Sequence, residues 1–339
     1  MNAAFQRVGL VVNSAAGAGA EQCFQAASQA ISALGATDVV TGPGLLGEDS
    51  VKSSALRVEI LSCDPATGRD GSRALARLLA DHLLETVVVV GGDGTMADVA
   101  GIFVDSRHQP NILGVGAGST NAGSLVTCLA DEVSQLDKTN LVKRSLDALE
   151  VKIIDGPSAI AFNDVVFSST IVATAGGKLV DLDAAAFLEG RSEPVQPRCI
   201  GASGTLVKVA GPDADSLLSS GPDIGTIVVG FAEQAFRAKA ITGGICLATH
   251  VGFHAGCLVA DRPIAYFGAT AESLLADGPI HTTFFGLDDS SKVLVSGVKK
   301  GAVICADGNP VSVLDESSQV QIKIRLSAIT ALTMQEQDQ

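Results

Sequence analysis

The chain reads as an α/β N-terminal domain on a parallel, Rossmann-like sheet, followed by a mostly β, sandwich-like C-terminal domain. Three observations predict this. Strand and helix signals alternate over residues 1–145, the pattern of a helix-covered parallel sheet. Within that stretch Val87-Val88-Val89-Val90 sets four β-branched residues in a row, as a strand buried on both faces requires. After about Leu146 helical periodicity fades, and short β-rich runs are parted by Gly, Pro and Asp turns. The division expected is 1–145 and 146–339, with the tail free to return to the first domain.

In order, Val8–Val12 is a short apolar strand leading into the turn-rich Asn13–Gly19. Helix is expected from about Glu21 to Leu34, and a Gly/Pro-rich surface loop over Thr41–Ser50. A strand over Val58–Leu61 precedes a helix over Ser72–Leu84, whose Leu75, Leu78, Leu79 and Leu83 share one face. After the Val87 strand, Thr95 is expected to cap a helix from Met96 to Val104. The strand Ile112–Val115 and a helix from near Asn121 follow. The later strands are Leu149–Ile154, Ala159–Phe167, Ile227–Phe231, Ile245–Ala248, Ile264–Phe267, Val293–Val295, Val303–Cys305 and Val320–Leu326. Segments 183–199 and 210–225 carry no clear signal.

Charge narrows the partners. The 339 residues hold 23 Lys plus Arg against 37 Asp plus Glu, a formal net charge of −14. Nucleic acids and anionic membrane surfaces both favour basic patches, so neither is an expected partner. Charged residues make up 18% and hydrophobic residues 47%, a balance that fits a large core and a homo-oligomer, dimer or tetramer. The opening Met1–Arg7 lacks the basic segment and apolar core of a secretory signal, and no run reaches membrane-span length. A cytoplasmic location is the expectation. The seven cysteines form no Cys-x-x-Cys pair and read as small buried hydrophobes.

Chemistry concentrates in three places. Gly91-Gly92-Asp93-Gly94-Thr95 puts glycines and one acid at the carboxyl end of the buried strand, where open α/β sheets bind ligands. Glycines let the main chain turn sharply and approach a ligand, and free amides at a helix start suit phosphate. Gly114-Val115-Gly116-Ala117-Gly118-Ser119-Thr120-Asn121 repeats the design one strand on. Asn163 and Asp164 then interrupt the apolar run 161–167 and need polar partners, a hydroxylated ligand among the candidates. A phosphate cradle holding one acid points to phosphoryl transfer.

These residues carry a resemblance. Gly-Gly-Asp-Gly-Thr is similar to the shared signature of the NAD kinases and the diacylglycerol and sphingosine kinases. Asn163-Asp164 followed by two valines resembles the motif with which NAD kinases hold the acceptor ribose. The first turn resembles the family's Asn-Pro-x-x-Gly, with Ser14 where proline is usual, and Asp307-Gly308 resembles its late Asp-Gly turn. Overall the chain looks most like a divergent bacterial NAD kinase-like branch found with acetoin catabolism. The family's Thr-Pro-Thr-Gly-Ser-Thr stretch has only Gly201-Ala202-Ser203-Gly204-Thr205 as a poor counterpart. The turn Gly118–Asn121 is nearer the lipid-kinase version.

The resemblance implies an NAD kinase-like fold and an enzyme using ATP and Mg²⁺. Asp93 would be catalytic. Asn13, Gly91, Gly92, Gly94, Thr95, Gly116, Gly118, Ser119, Thr120 and Asn121 would meet the nucleotide phosphates. Asn163 and Asp164 would hold the acceptor, with no protein metal site. NAD is the first acceptor expected; another small alcohol or nucleoside, a lipid, or a regulatory protein without catalysis are the alternatives. A structural turn aspartate, a tight structural turn and a β-bulge are the plain readings of Asp93, residues 114–121 and Asn163-Asp164.

Other motifs are weaker. Asp98 is either a neighbour of the Asp93 turn or a solvated helix position. Lys178 follows two glycines but lacks the rest of a P-loop. His250 and His254 have zincin spacing, yet on a strand they would lie ~13 Å apart at ~3.3 Å per residue, too far to share an ion. Neither glycine turn gives the dinucleotide fingerprint of a dehydrogenase.

Overall fold

The computed structural model describes residues 5–335 except 53, 65–66, 119–120, 176–177, 212–214 and 233–251. The chain divides into two units, one of residues 1–147 and 327–339, the other of 148–326.

Unit 1 alternates as the sequence requires. Its elements are β1 (Arg7–Val12), α1 (Ala20–Leu34), β2 (Asp38–Thr41), α2 (Glu48–Val51), β3 (Arg57–Ile60), α3 (Gly68–Leu79), β4 (Thr86–Gly91), α4 (Asp93–Phe103), β5 (Asn111–Gly116) and β6 (Val126–Leu129). The strands pair in parallel, with β1 between β2 and β4 and with β5 beyond β4. The chain therefore winds outward in one direction from β1 and in the other from β4. That reversal is the topological switch point at which such sheets bind ligands, outside their carboxyl ends. The loops after β1 and β4 leave from it side by side.

The central strands β1, β4 and β5 are largely buried, with every residue of β4 in the core. Val8, Val88, Val90, Leu113 and Val115 pack against Ala26, Ala27, Ala30 and Ile31 of α1. Small residues on that helix let it lie close to the strands. From the tail of the chain, Thr330 and Ala331 add a short parallel pairing to β5, and Thr127 donates to the Leu332 carbonyl at 2.6 Å.

Several boundaries differ from expectation. Residues 44–46 form a 3-10 turn and Glu48–Val51 a helical turn in place of a surface loop. Thr41, Leu46, Ser50 and Val51 are buried there, so the segment contributes to the core despite its glycines. The helix expected at Ser72–Leu84 runs instead over Gly68–Leu79, leaving Leu83 exposed.

Unit 2 is mostly β, entered along β7 (Leu141–Ile153). It continues with β8 (Ser158–Ala161), β9 (Asp164–Ser168), β10 (Thr170–Ala175), β11 (Lys178–Asp183), α5 (Ala184–Leu188), β12 (Leu206–Ala210), β13 (Asp215–Ser220) and β14 (Thr226–Phe231). Then come β15 (Ala255–Ala260), α6 (Ala271–Asp277), β16 (Thr282–Leu287), β17 (Lys292–Ser296), β18 (Ala302–Ala306), β19 (Asn309–Leu314) and β20 (Gln319–Met334), which leaves the unit after Leu326. Among the described residues β16, β15, β14, β9, β18 and β19 form one antiparallel sheet in that order. Strands β13, β12, β17 and the first part of β20 form another antiparallel set. Leu149, Val165, Phe167, Ile227, Val293, Val295 and Ile304 meet in one apolar core, the arrangement of a sandwich.

The run Ala159–Phe167, expected as one strand, is two. Strand β8 pairs with β7, whereas β9 lies between β14 and β18. The bend falls at Phe162-Asn163, where the chain passes between pairings. Ile264–Phe267 is not a strand; its Phe267 amide donates to Asp181 at 2.7 Å. The strand expected at Ile245–Ala248 lies outside the described residues.

Candidate active site

The loop after β4 carries Asp93. Gly92 has extended backbone geometry (φ −87°, ψ 174°) and serves as the N-cap residue of α4. The helix thus begins at Asp93, not at Met96, and Thr95 sits in its first turn. Thr95 is not the cap because Gly92 has already turned the chain: the amides of Thr95 and Met96 both donate to the Gly92 carbonyl, at 3.0 and 3.1 Å. Its own hydroxyl oxygen accepts from Asn13 Nδ2 at 2.8 Å, joining the loops after β1 and β4.

The loop after β5 completes the cluster. The Ala117 amide donates to the Gly91 carbonyl at 2.7 Å, and the Ala18 amide donates to the Ala117 carbonyl at 2.9 Å. Gly116 ends β5. The helix expected from near Asn121 does not form. Asn121 has φ +51°, in the left-handed region, and its amide group braces Gly118 on both sides. Its Oδ1 accepts from the Gly118 amide at 2.7 Å, and its Nδ2 donates to the Gly118 carbonyl at 2.8 Å. Asparagine tolerates that conformation through such local bonds. The chain then turns into β6. Ser119 and Thr120 lie outside the described residues.

Asp93 spans the gap between the two glycine turns. Its Oδ2 accepts from the Ala122 amide and its Oδ1 from the Gly123 amide, each at 2.9 Å. Both are charge-assisted bonds, stronger than neutral ones. A carboxylate has about four acceptor sites, so each oxygen keeps a lone pair for a further partner. The carboxylate is partly buried and lies in the first turn of α4.

The glycines do more for the protein than the sequence reading allowed. A Cβ on Gly118 would stand 2.7 Å from the Gly92 Cα, and one on Gly92 would stand 3.3 Å from the Gly118 Cα. These residues are bare because two main chains pass each other there.

Asp98, five positions along α4, is 12% exposed and takes Arg69 of α3 in a two-pronged ion pair, with Nη2 to Oδ1 at 3.0 Å. It clamps two helices and is not a solvated position.

Asn163 and Asp164 belong to unit 2. The Asn163 carbonyl accepts from the Phe231 amide at 3.1 Å. Asp307, buried at the tip between β18 and β19, accepts from the amides of Phe162, Asn163 and Asp164 at 2.7, 2.7 and 3.1 Å. The Asp307 amide donates back to the Asp164 carbonyl at 2.9 Å. Burial and the charge of Asp164 push the Asp307 carboxyl up to about 7, with the three amides pulling the other way. The sequence marked Asp307 as part of a turn but not as the support of Asn163-Asp164; an Asp-Gly pair between two apolar runs signals a hairpin and says nothing of a partner so distant in the chain.

The remaining motifs have plainer settings. His254 stacks on Phe231, with ring centroids 6.1 Å apart, and its Nε2 lies 3.5 Å from Asp289. His250, Cys246 and the Lys178 side chain lie outside what is described. Cys23, Cys128, Cys257 and Cys305 are buried, and burial pushes the Cys128 and Cys257 thiols up to about 12. No helix among the described residues is long and apolar enough to cross a membrane.

Known proteins resemble this chain in part of its sequence and in its fold. Residues 8–139 match the ATP-NAD kinase N-terminal domain. An uncharacterized protein of Archaeoglobus fulgidus is 29% identical over 234 residues, covering 69% of this chain and 70% of the relative. A diacylglycerol kinase from Bacillus anthracis strain Sterne superposes with a TM-score of 0.52 over 96% of each chain, at 12% identity. Yeast NADH kinase complexed with NADH gives 0.55 over 99% of this chain and 85% of that one, also at 12% identity. At such identities the likeness is one of fold. Residues 8–139 thus resemble the ATP-NAD kinase N-terminal domain, and the overall fold is similar to those of a diacylglycerol kinase and an NADH kinase.

Proposed function

We propose that the chain is a kinase transferring a phosphoryl group from ATP to a hydroxyl of a small metabolite, with NAD the first candidate. One observation carries the reading: Asp93 is held by the Ala122 and Gly123 amides between two glycine turns, inside the segment that matches the ATP-NAD kinase N-terminal domain.

The residues present fit a magnesium-bound nucleotide. A bare carboxylate would repel phosphates, whereas a cation on the phosphates reverses that sign. A magnesium ion arriving with the nucleotide would meet Asp93. Bound Mg²⁺ supplies neutralisation of the charge that develops on the transferred group. Asn13, Gly92, Thr95, Gly116, Gly118 and Asn121 shape the main chain against which the phosphates would lie. The open lone pairs of Asp93 accept the acceptor hydroxyl proton or orient that hydroxyl. Asn163 and Asp164 offer a donor and acceptors to the acceptor's own hydroxyls. Such reactions depend mainly on positioning and electrostatics, so a nearly lysine-free site is sufficient if the metal and backbone amides carry the charge.

The test is a phosphoryl-transfer assay with Mg-ATP against NAD, NADH, small polyols and diacylglycerol, paired with a thermal-shift screen, since a bound ligand raises the melting temperature by mass action. Transfer to NAD supports the reading. Stabilisation by Mg-ATP with no transfer to NAD moves the acceptor to another alcohol. Response to neither overturns it.

A further inference from the structure

Three amides converge on one buried carboxylate in unit 2, at the only bend in an otherwise continuous apolar run. Phe162 and Asn163 have left the β8 pairing and Asp164 is only entering β9, so their N–H groups need acceptors from elsewhere. Asp307 supplies them: Oδ2 to Phe162 and Oδ1 to Asn163 and Asp164. The carboxylate is itself fixed. Asp307 and Gly308 have φ +47° and +76°, the paired left-handed residues of a tight hairpin turn, joining Ala306 to Asn309. Its amide returns a bond to Asp164.

We infer that Asp307 is a positioning residue for the acceptor: it locks the Phe162–Asp164 main chain and so sets where Asn163 and Asp164 present their side chains. This rests on Asn163 and Asp164 being the acceptor-holding pair. The lock also depends on protonation. A carboxylate accepts all three amides, whereas a protonated carboxyl turns one oxygen into a donor. Asp164, across the same bend, is the ionisable neighbour whose charge resists ionisation of Asp307, alongside burial.

The experiment uses the full chain with Asp307→Asn and Asp307→Glu. Amide hydrogen exchange of the 162–164 segment reads the lock directly, and KM values for NAD and for Mg-ATP read its consequence. Asn turns an NH₂ toward an amide donor, so D307N is expected to lose exchange protection at 162–164 and to raise the NAD KM about tenfold or more. The Mg-ATP KM is expected to stay within about twofold of wild type. Glu keeps the charge and is expected to recover part of the protection. In the wild type the NAD KM falls as pH rises through about 7; in D307N that dependence disappears. Unchanged exchange at 162–164 in D307N, or equal rises in both KM values, overturns the inference. A wild-type chain that transfers nothing to NAD removes NAD as the acceptor instead, and the exchange result then decides the lock by itself.

Discussion

Gly92 and Gly118 face each other so closely that a Cβ added to Gly118 would stand 2.7 Å from the Gly92 Cα. The two turns that flank Asp93 are therefore one unit of main chain, and the glycines serve that packing before they serve any ligand. Gly118→Ala is expected to destabilise the chain by about 1–3 kcal/mol, as overpacking does, and to weaken Mg-ATP binding. Gly92→Ala, with a gap of 3.3 Å, is expected to cost less. Denaturant unfolding of both variants ranks them; equal stability of all three proteins contradicts this account.

Asn13 and Thr95 join the loops after β1 and β4 through one hydrogen bond of 2.8 Å. Removing it by Asn13→Ala, by Thr95→Val and by both together forms a double-mutant cycle. A coupling of about 0.5–1.5 kcal/mol is expected. Additive losses would mean that each side chain is held by something else.

Much of this site was legible in sequence because its signals are local. Four consecutive valines fix a doubly buried strand, and Gly-Gly-Asp-Gly can only be a turn at its end. Thr95 misled because a threonine before an apolar run has the chemistry of a cap; Gly92, bending the chain three residues earlier, decided the helix start. Asn121 misled in the same way, since its brace on Gly118 stops a helix that its side chain could also have capped. The bond from Asp307 to Phe162 joins residues 145 apart, set by the pairing of β9 with β18, and no local pattern announces such a pairing. Likewise Asp98 looks solvated until α3 brings Arg69 against it.

Asp307 also links stability to pH. Its folded-state carboxyl is raised from 3.8 to about 7, so the folded chain holds a proton that the unfolded chain releases over that interval. The stabilisation is fully present below about pH 4 and is lost as pH rises through about 7. Unfolding free energy measured across pH 4 to 8 is expected to carry this downward contribution in the wild type and to lack it in Asp307→Asn. Identical profiles would show that the carboxyl does not titrate there.

The central claim is that the Asp93 carboxylate meets the reacting hydroxyl, and turnover of Asp93→Asn at saturating Mg-ATP and acceptor tests it most directly. Asparagine keeps an acceptor for one of the two amides at Ala122 and Gly123, so the fold is expected to persist with a modest loss of melting temperature. Turnover is expected to fall by about 10²- to 10⁴-fold, the scale of losing a positioned proton acceptor. A folded Asp93→Asn protein that turns over at close to the wild-type rate would contradict the account.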